Sequence, residues 1–285
     1  MRESHRYRCA TVTPVISLPT DRDRPGRPMS ARVDLSGRRA LVTGAGQGVG
    51  RGVALALAEV GAEVLVNDLV PGRAKAVAAE VRDLGGRAQA VPFDVTDGAA
   101  VDAALTGAGR VDVLVNNAGN AGRADGSFGE LRAFVELEAA QWEPFLQVNL
   151  YGVMHVTRAV LPGMVARGHG RVVVVVSDSG RTGEAGMAVY AAAKAGAAGL
   201  VRSLAREVAA HGVTVNALAL GSVNAMEHAP ALEQERLGRL LRRYPVGRRG
   251  LPADVAHAVL FFGADQAAWV TGQTLSLNGG YSISA

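Results

Sequence analysis

Cysteine is all but missing from this 285-residue chain. Cys9 stands alone, so no disulfide can close within it, in keeping with a reducing cytoplasm. Long apolar runs are missing too. None approaches the roughly 18 residues that span a bilayer, and no membrane partner is expected. The stretch Val12–Leu18 is interrupted by Pro14 and followed by charges, unlike the core of a secretory signal. The six histidines show no ligand spacing, so no metal is expected. Lysine is the scarcest base: of 30 Lys and Arg residues, only Lys75 and Lys194 are lysine.

Positive charge is concentrated rather than spread. Residues 1–28 carry six arginines against three acids, which leaves the rest near neutral within a formal net charge of +4. A near-neutral body lacks the electrostatic footprint of a nucleic-acid binder. Residues 1–32 are rich in Arg, Pro and Asp without hydrophobic period. They read as a disordered basic tail, or as sequence upstream of a start at Met29.

From Val33 onward short β-branched runs alternate with Ala-rich stretches. Strands are expected at Ala40–Thr43, Val64–Asn67, Ala88–Phe93, Val111–Asn116, Arg171–Ser177, Val213–Leu218 and Thr274–Leu277. Helices are expected at about 48–60, 73–84, 97–105, 139–167, 188–210 and 252–263. Several strands, Val172–Val176 most clearly, are apolar throughout and therefore buried on both faces. The pattern predicts an α/β fold: one Rossmann-type, doubly wound parallel sheet of about seven strands, helices on both faces, spanning 33–285 as one domain.

The first strand runs into Thr43-Gly44-Ala45-Gly46-Gln47-Gly48-Val49-Gly50 and then a helix. Glycines there allow a sharp turn and a close backbone approach to a pyrophosphate, and the helix start offers N–H groups to it. Asp68 ends the second strand, 18 residues after Gly50. A carboxylate at that place can accept from the adenosine ribose and repel a 2′-phosphate, or it can simply cap a turn. Leu69 rather than Arg follows it, which favours NAD over NADP as cofactor. Tyr190 and Lys194 lie four residues apart in an Ala-rich helix, hence on one face. An ammonium there is expected to lower the tyrosine pKa from about 10 toward a useful proton donor and acceptor. Keeping one of only two lysines at this place argues for a compact cation where Arg would not serve.

These motifs, in this order, resemble the short-chain dehydrogenase/reductase family over roughly residues 33–281. The glycine spacing is that family's T-G-x-x-x-G-x-G, and neutral Gln47 stands where phosphate-preferring members often carry a base. The resemblance implies that Gly44, Gln47, Gly48, Val49 and Gly50 cradle the cofactor. It implies that Asp94 and Val95 touch adenine, and that Asn117, Ala118 and Gly119 of the N-N-A-G motif border it. Ser177, 13 residues before Tyr190, fits the family serine that orients the carbonyl oxygen; Ser179 fits the spacing worse. Asn149 fits the asparagine that holds a water beside the lysine. Ser177, Tyr190, Lys194 and Asn149 are therefore the implied catalytic set, with Tyr190 and Lys194 also holding the nicotinamide ribose. A secondary alcohol or ketone is the implied substrate, and a homodimer or homotetramer the implied assembly.

One departure stands out. Where the family has P-G-x-x-x-T, this chain reads Leu220-Gly221-Ser222-Val223-Asn224-Ala225. Gly221 and Val223 still align with nicotinamide-binding positions, while Ser222 or Asn224 is left to replace the threonine contact. Within the family, Ser177-Asp178 and the 261–265 stretch resemble members acting on 2-hydroxycyclohexanecarboxyl-CoA and the β-ketoacyl carrier-protein reductases. Arg236, Arg239 and Arg243 share one face of an expected helix, suited either to CoA phosphates or to solvent with Glu233 and Glu235 as partners. Two rival functions follow: an NADP-dependent 3-oxoacyl reductase, opposed by Asp68 and Leu69, and a non-catalytic NAD sensor, opposed by the intact serine, tyrosine and lysine.

Overall fold

A computed structural model describes residues 33–119, 132–224, 238–239 and 241–283. The expectation for residues 1–32 lies outside them, as does Ala225. Seven strands form one sheet: β1 (Arg39–Val42), β2 (Glu63–Val66), β3 (Arg87–Ala90), β4 (Val113–Asn116), β5 (Gly170–Ser177), β6 (Val213–Leu220) and β7 (Thr274–Leu277). They run parallel in the order β3-β2-β1-β4-β5-β6-β7. The direction of strand addition reverses between β1 and β4, the place where such sheets open a ligand crevice.

Each strand divides its side chains between two cores, because successive residues point to opposite faces. Leu41, Leu114, Val172, Val174 and Val176 pack with α3 (Gly98–Ala108), α5 (Gly152–Arg167) and α7 (Ala188–Val208). Val42, Val113, Val115, Val173 and Val175 pack on the other side with α1 (Gly48–Glu59), α2 (Pro71–Asp83) and α8 (Pro252–Gly263). This is the physical reason for the unbroken valine run in β5: neither face meets water. Two shorter helices, α4 (Glu143–Leu146) and α6 (Ser179–Thr182), complete the set among the described residues.

Boundaries differ from expectation where a backbone donor or acceptor is diverted. β3 stops at Ala90 because Pro92 cannot extend the ladder. The helix expected over 139–167 is instead a 3-10 turn (Ala139–Gln141), α4, a π-helical turn (Gln147–Tyr151) and α5. Within the π turn, Asn149 Nδ2 donates to Phe145 O at 2.9 Å. α6 has no counterpart among the expected helices.

The amino ends of the strands carry one group of ion pairs. Arg39 bonds Glu63 at 2.9 Å, and buried Asp112 accepts from Arg39 N at 2.9 Å. A hydrogen bond from His169 holds the Asp265 carboxyl well below the usual range, with Arg38 and Arg171 adding to it. The carboxyl ends of the same strands lead into the glycine turn, Asp68, Asp94, Asn117 and Ser177.

Candidate active site

The turn after β1 can be made only by glycine. Gly44 and Gly48 adopt φ of 60° and 55°, a region L side chains rarely enter. A Cβ on Gly50 would lie 2.2 Å from Gly44 O and 2.5 Å from Asn117 Nδ2. α1 begins at once, behind an extended Gln47 and with no acidic residue in its first turn. No carboxylate there competes for an anion at the positive end of the helix.

Side chains from the neighbouring strand ends brace this turn. Thr43 Oγ1 accepts from Asn117 N and Ala118 N, both at 3.0 Å. Asn117 Nδ2 donates to Thr43 O at 3.0 Å and Gly44 O at 3.1 Å. The amide of Asn117 is thus committed to the turn. Buried Asn67 does the same on the other side, donating to Val91 O at 3.2 Å and Phe93 O at 3.0 Å. Thr43 and Asn67 were not among the expected site residues. Their one visible signal is a polar residue closing an apolar strand.

Asp68 is buried at the end of β2. Its Oδ2 accepts from Gly46 N at 3.0 Å and its Oδ1 from Val70 N at 2.9 Å. The turn-capping contact weighed from the sequence is therefore present, together with a second contact that fastens the carboxylate to the glycine turn. Gly46 allows this: a Cβ there would sit 2.5 Å from Asp68 Oδ2 and 2.5 Å from Arg73 Cβ. Leu69 is exposed. Asp94 Oδ1 accepts from Thr96 N at 2.8 Å, and buried Val95 packs at Gly152.

The structure brings Ser177, Tyr190, Lys194 and Asn149 together beside Gly119. Gly180 makes this possible, since a Cβ there would lie 2.9 Å from Ala195 N; α6 therefore rests directly on the backbone of α7. Gly183 then turns with φ of 76°. Tyr190 hydrogen-bonds Ser177, whose hydroxyl also meets Ser179 Oγ at 2.8 Å. Lys194 is 3% exposed, and its Nζ donates to Val175 O at 2.9 Å. A Cβ on Gly119 would lie 3.2 Å from Asn149 Oδ1 and 3.4 Å from Lys194 Nζ. The glycine thus keeps both polar groups reachable from the cleft.

One electrostatic expectation is overturned. Burial raises the Tyr190 pKa, and the hydrogen bond with Ser177 offsets this only in part. Lys194 Nζ lies 5.9 Å from the tyrosine ring centre and is engaged by Val175 O, and its charge does not outweigh the burial of the phenol. The lysine itself is the group that moves toward neutrality, its pKa lowered by burial to about 8.

The Leu220–Asn224 segment follows β6 and lies beside Ser177, because Leu220 pairs with Ser177 in the sheet. Gly221 N donates to Leu277 O at 3.1 Å and Ser222 N to Tyr244 OH at 2.8 Å. Val223 bridges Gly250. The arginine face expected over 236–243 is not available as such. Arg236 lies outside the described residues, and Arg243 stacks on Tyr281 at 4.5 Å and pairs with Glu184 at 3.3 Å. Glu233 and Glu235 also lie outside the described residues.

A glycine turn on a helix start, a buried acid fastened to it, and a half-buried serine and tyrosine beside a buried lysine, all at the carboxyl edge of a parallel sheet, define a dinucleotide-dependent oxidoreductase. Comparison with known proteins agrees. Residues 38–236 match the family model described as short chain dehydrogenase. The 3-oxoacyl-(acyl-carrier-protein) reductase FabG of Escherichia coli is 36% identical over 252 residues, covering 87% of this chain and 98% of that protein. The FabG of Thermotoga maritima is 34% identical over 255 residues, covering 87% and 99%. A solved structure from Agrobacterium tumefaciens, described as a candidate gluconate dehydrogenase, aligns with a TM-score of 0.80 at 32% identity, covering 88% and 98%. The chain belongs to the short-chain dehydrogenase family, an oxidoreductase acting on CH–OH and keto groups. Among the described residues no helix is long and apolar enough to cross a membrane.

Proposed function

We propose that this chain, through a catalytic domain at 33–285, is an NAD-dependent dehydrogenase/reductase that interconverts a secondary alcohol and its ketone. The observation that carries the reading is the convergence of Ser177, Tyr190 and Lys194 at one strand edge. The residues fit a dinucleotide, since the positive-φ glycines turn the chain directly into the start of α1, whose first turn carries no acidic residue. A bound nicotinamide supplies or accepts the hydride. The Ser177 hydroxyl orients the carbonyl oxygen. Tyr190 stays protonated near neutrality because burial raises its pKa, so it is set to donate to that oxygen. The Lys194 ammonium, backed by Val175 O, supplies the positive charge that the tyrosinate then needs. Asn149 completes the polar path at Gly119. Apolar surface on Val135, Tyr151 and Met154, and on Trp269 and Leu275, supports the homodimer or homotetramer.

Asp68 supports NAD, because its carboxylate would face a 2′-phosphate across Gly46. Arg73, whose Cβ approaches the same glycine, favours the NADP reading. Among substrates, a 3-oxoacyl thioester stands first, on the activity by which the FabG relatives are named; a sugar acid stands second, on that of the Agrobacterium protein. Steady-state kinetics with NADH and NADPH across 3-oxoacyl thioesters, cyclic and secondary alcohols, steroids and sugar acids tests both points. The expected result is an NAD(H) preference of at least about tenfold, about 1.4 kcal/mol. Equal efficiency with NADPH would overturn the assignment to NAD.

A further inference from the structure

The segment after β6 lacks the proline that the related proteins place before its glycine, and Leu220 stands there instead. Proline holds φ near −65° and so limits the freedom of the chain around it. Something else must hold Ser222 and Val223 in this chain. We propose that Arg249 is a positioning residue for the nicotinamide end of the cofactor groove, acting through Ser222 and Val223. The inference rests on the nicotinamide reading above.

The geometry is specific. Arg249 Nε donates to Ser222 Oγ at 3.0 Å, and its Nη2 donates to Val223 O at 2.6 Å. One planar guanidinium thus spans a side chain and the next carbonyl, which a single ammonium cannot reproduce. The adjacent Arg248 does different work, pairing with Asp254 Oδ2 at 2.6 Å and Oδ1 at 2.9 Å near the start of α8. The backbone on either side of Arg249 adds its own ties. Gly250 N donates to Ser222 O at 3.0 Å and Asn224 N to Gly250 O at 2.7 Å. From behind, the segment is packed closely: a Cβ on Gly221 would meet Asn278 Cα at 3.0 Å and Tyr244 Cε1 at 3.1 Å.

Position gives these bonds their functional meaning. Across the carboxyl edge the strands run β2, β1, β4, β5, β6. Asp68 lies two residues beyond β2, and Ser177 and Leu220 close β5 and β6 as a register pair. A dinucleotide lying along this edge with its adenosine at Asp68 has its nicotinamide beside Ser177 and the Ser222–Val223 segment. Arg249 therefore governs one end of the groove and not the other.

That asymmetry supplies the test. Isothermal titration calorimetry compares NADH with ADP-ribose, which keeps the adenosine and pyrophosphate but has no nicotinamide. Arg249→Ala should weaken NADH about tenfold, about 1.4 kcal/mol, and leave ADP-ribose within about twofold. Arg249→Lys should behave like Arg249→Ala. Ser222→Ala removes only the hydroxyl acceptor; it should weaken NADH and spare ADP-ribose, and it serves if Arg249→Ala does not fold. Equal weakening of both ligands would mean a general structural role and overturn the proposal, as would unchanged NADH affinity in Arg249→Ala or full affinity in Arg249→Lys. A wild-type protein that binds ADP-ribose but not NADH would overturn the nicotinamide reading itself.

Discussion

The ammonium of Lys194 can be weighed against its own burial. Loss of hydration lowers its pKa from 10.5 to about 8. Below about pH 8 the folded and unfolded chains both carry the proton, and the folded state bears the full cost of an almost completely buried charge. Between about 8 and 10.5 the folded chain releases the proton while the unfolded chain keeps it. The unfolded state then binds more protons, so stability rises with pH across that window. Above 10.5 both forms are neutral and the effect is complete. The drop in pKa corresponds to about 3 kcal/mol. Lys194→Met keeps an unbranched chain of similar length and removes the charge. Urea unfolding of wild type and variant, measured in parallel from pH 7 to 10.5, cancels every group the two proteins share. The wild type should gain about 3 kcal/mol on the variant over that range. At pH 7 the variant should be at least as stable as the wild type, yet inactive. Two stability curves that run parallel across the window would show that the ammonium is not penalised by its site, and the reasoning would fail.

Two further outcomes follow from the site. Tyr190→Phe keeps the ring packed and removes only the proton donor, so kcat should drop by at least about a hundredfold while NADH affinity measured by fluorescence titration stays near wild type. Gly50→Ala places a methyl group 2.2 Å from Gly44 O; thermal melting should show destabilisation of about 1–3 kcal/mol, with dinucleotide binding lost more steeply than stability.

The parts legible in the sequence are those whose determinants are local. The valine run of β5, the glycine spacing after β1 and the four-residue step from Tyr190 to Lys194 each act within one element, and each stands where the sequence placed it. Thr43 and Asn67 were missed because their partners arrive from other segments. Asn117, which Thr43 meets, is 74 positions away. The π turn at Asn149 depends on an amide bonding back to Phe145, which no periodicity reveals. The direction of the Tyr190 shift depends on how deeply the phenol is packed, a property of the assembled fold. Arg248 and Arg249 are identical letters side by side; only their separate partners, Asp254 and the Ser222–Val223 segment, assign them different work.

Asp178, the residue after Ser177, is held in place by segments made much later. Its carboxylate accepts from Asn278 Nδ2 at 3.0 Å, across a separation of 100 residues, and from the Ser282 hydroxyl. The sheet grows outward from β1, first to β2 and β3 and then by β4, β5, β6 and β7 in turn. A chain emerging from the ribosome can therefore pair each strand as it appears. The buried carboxylate beside the serine, however, stays without its amide and hydroxyl until residues 278–282 are out. Synthesis thus delivers the strands that flank the glycine turn first and the partners of the Asp178 carboxylate last.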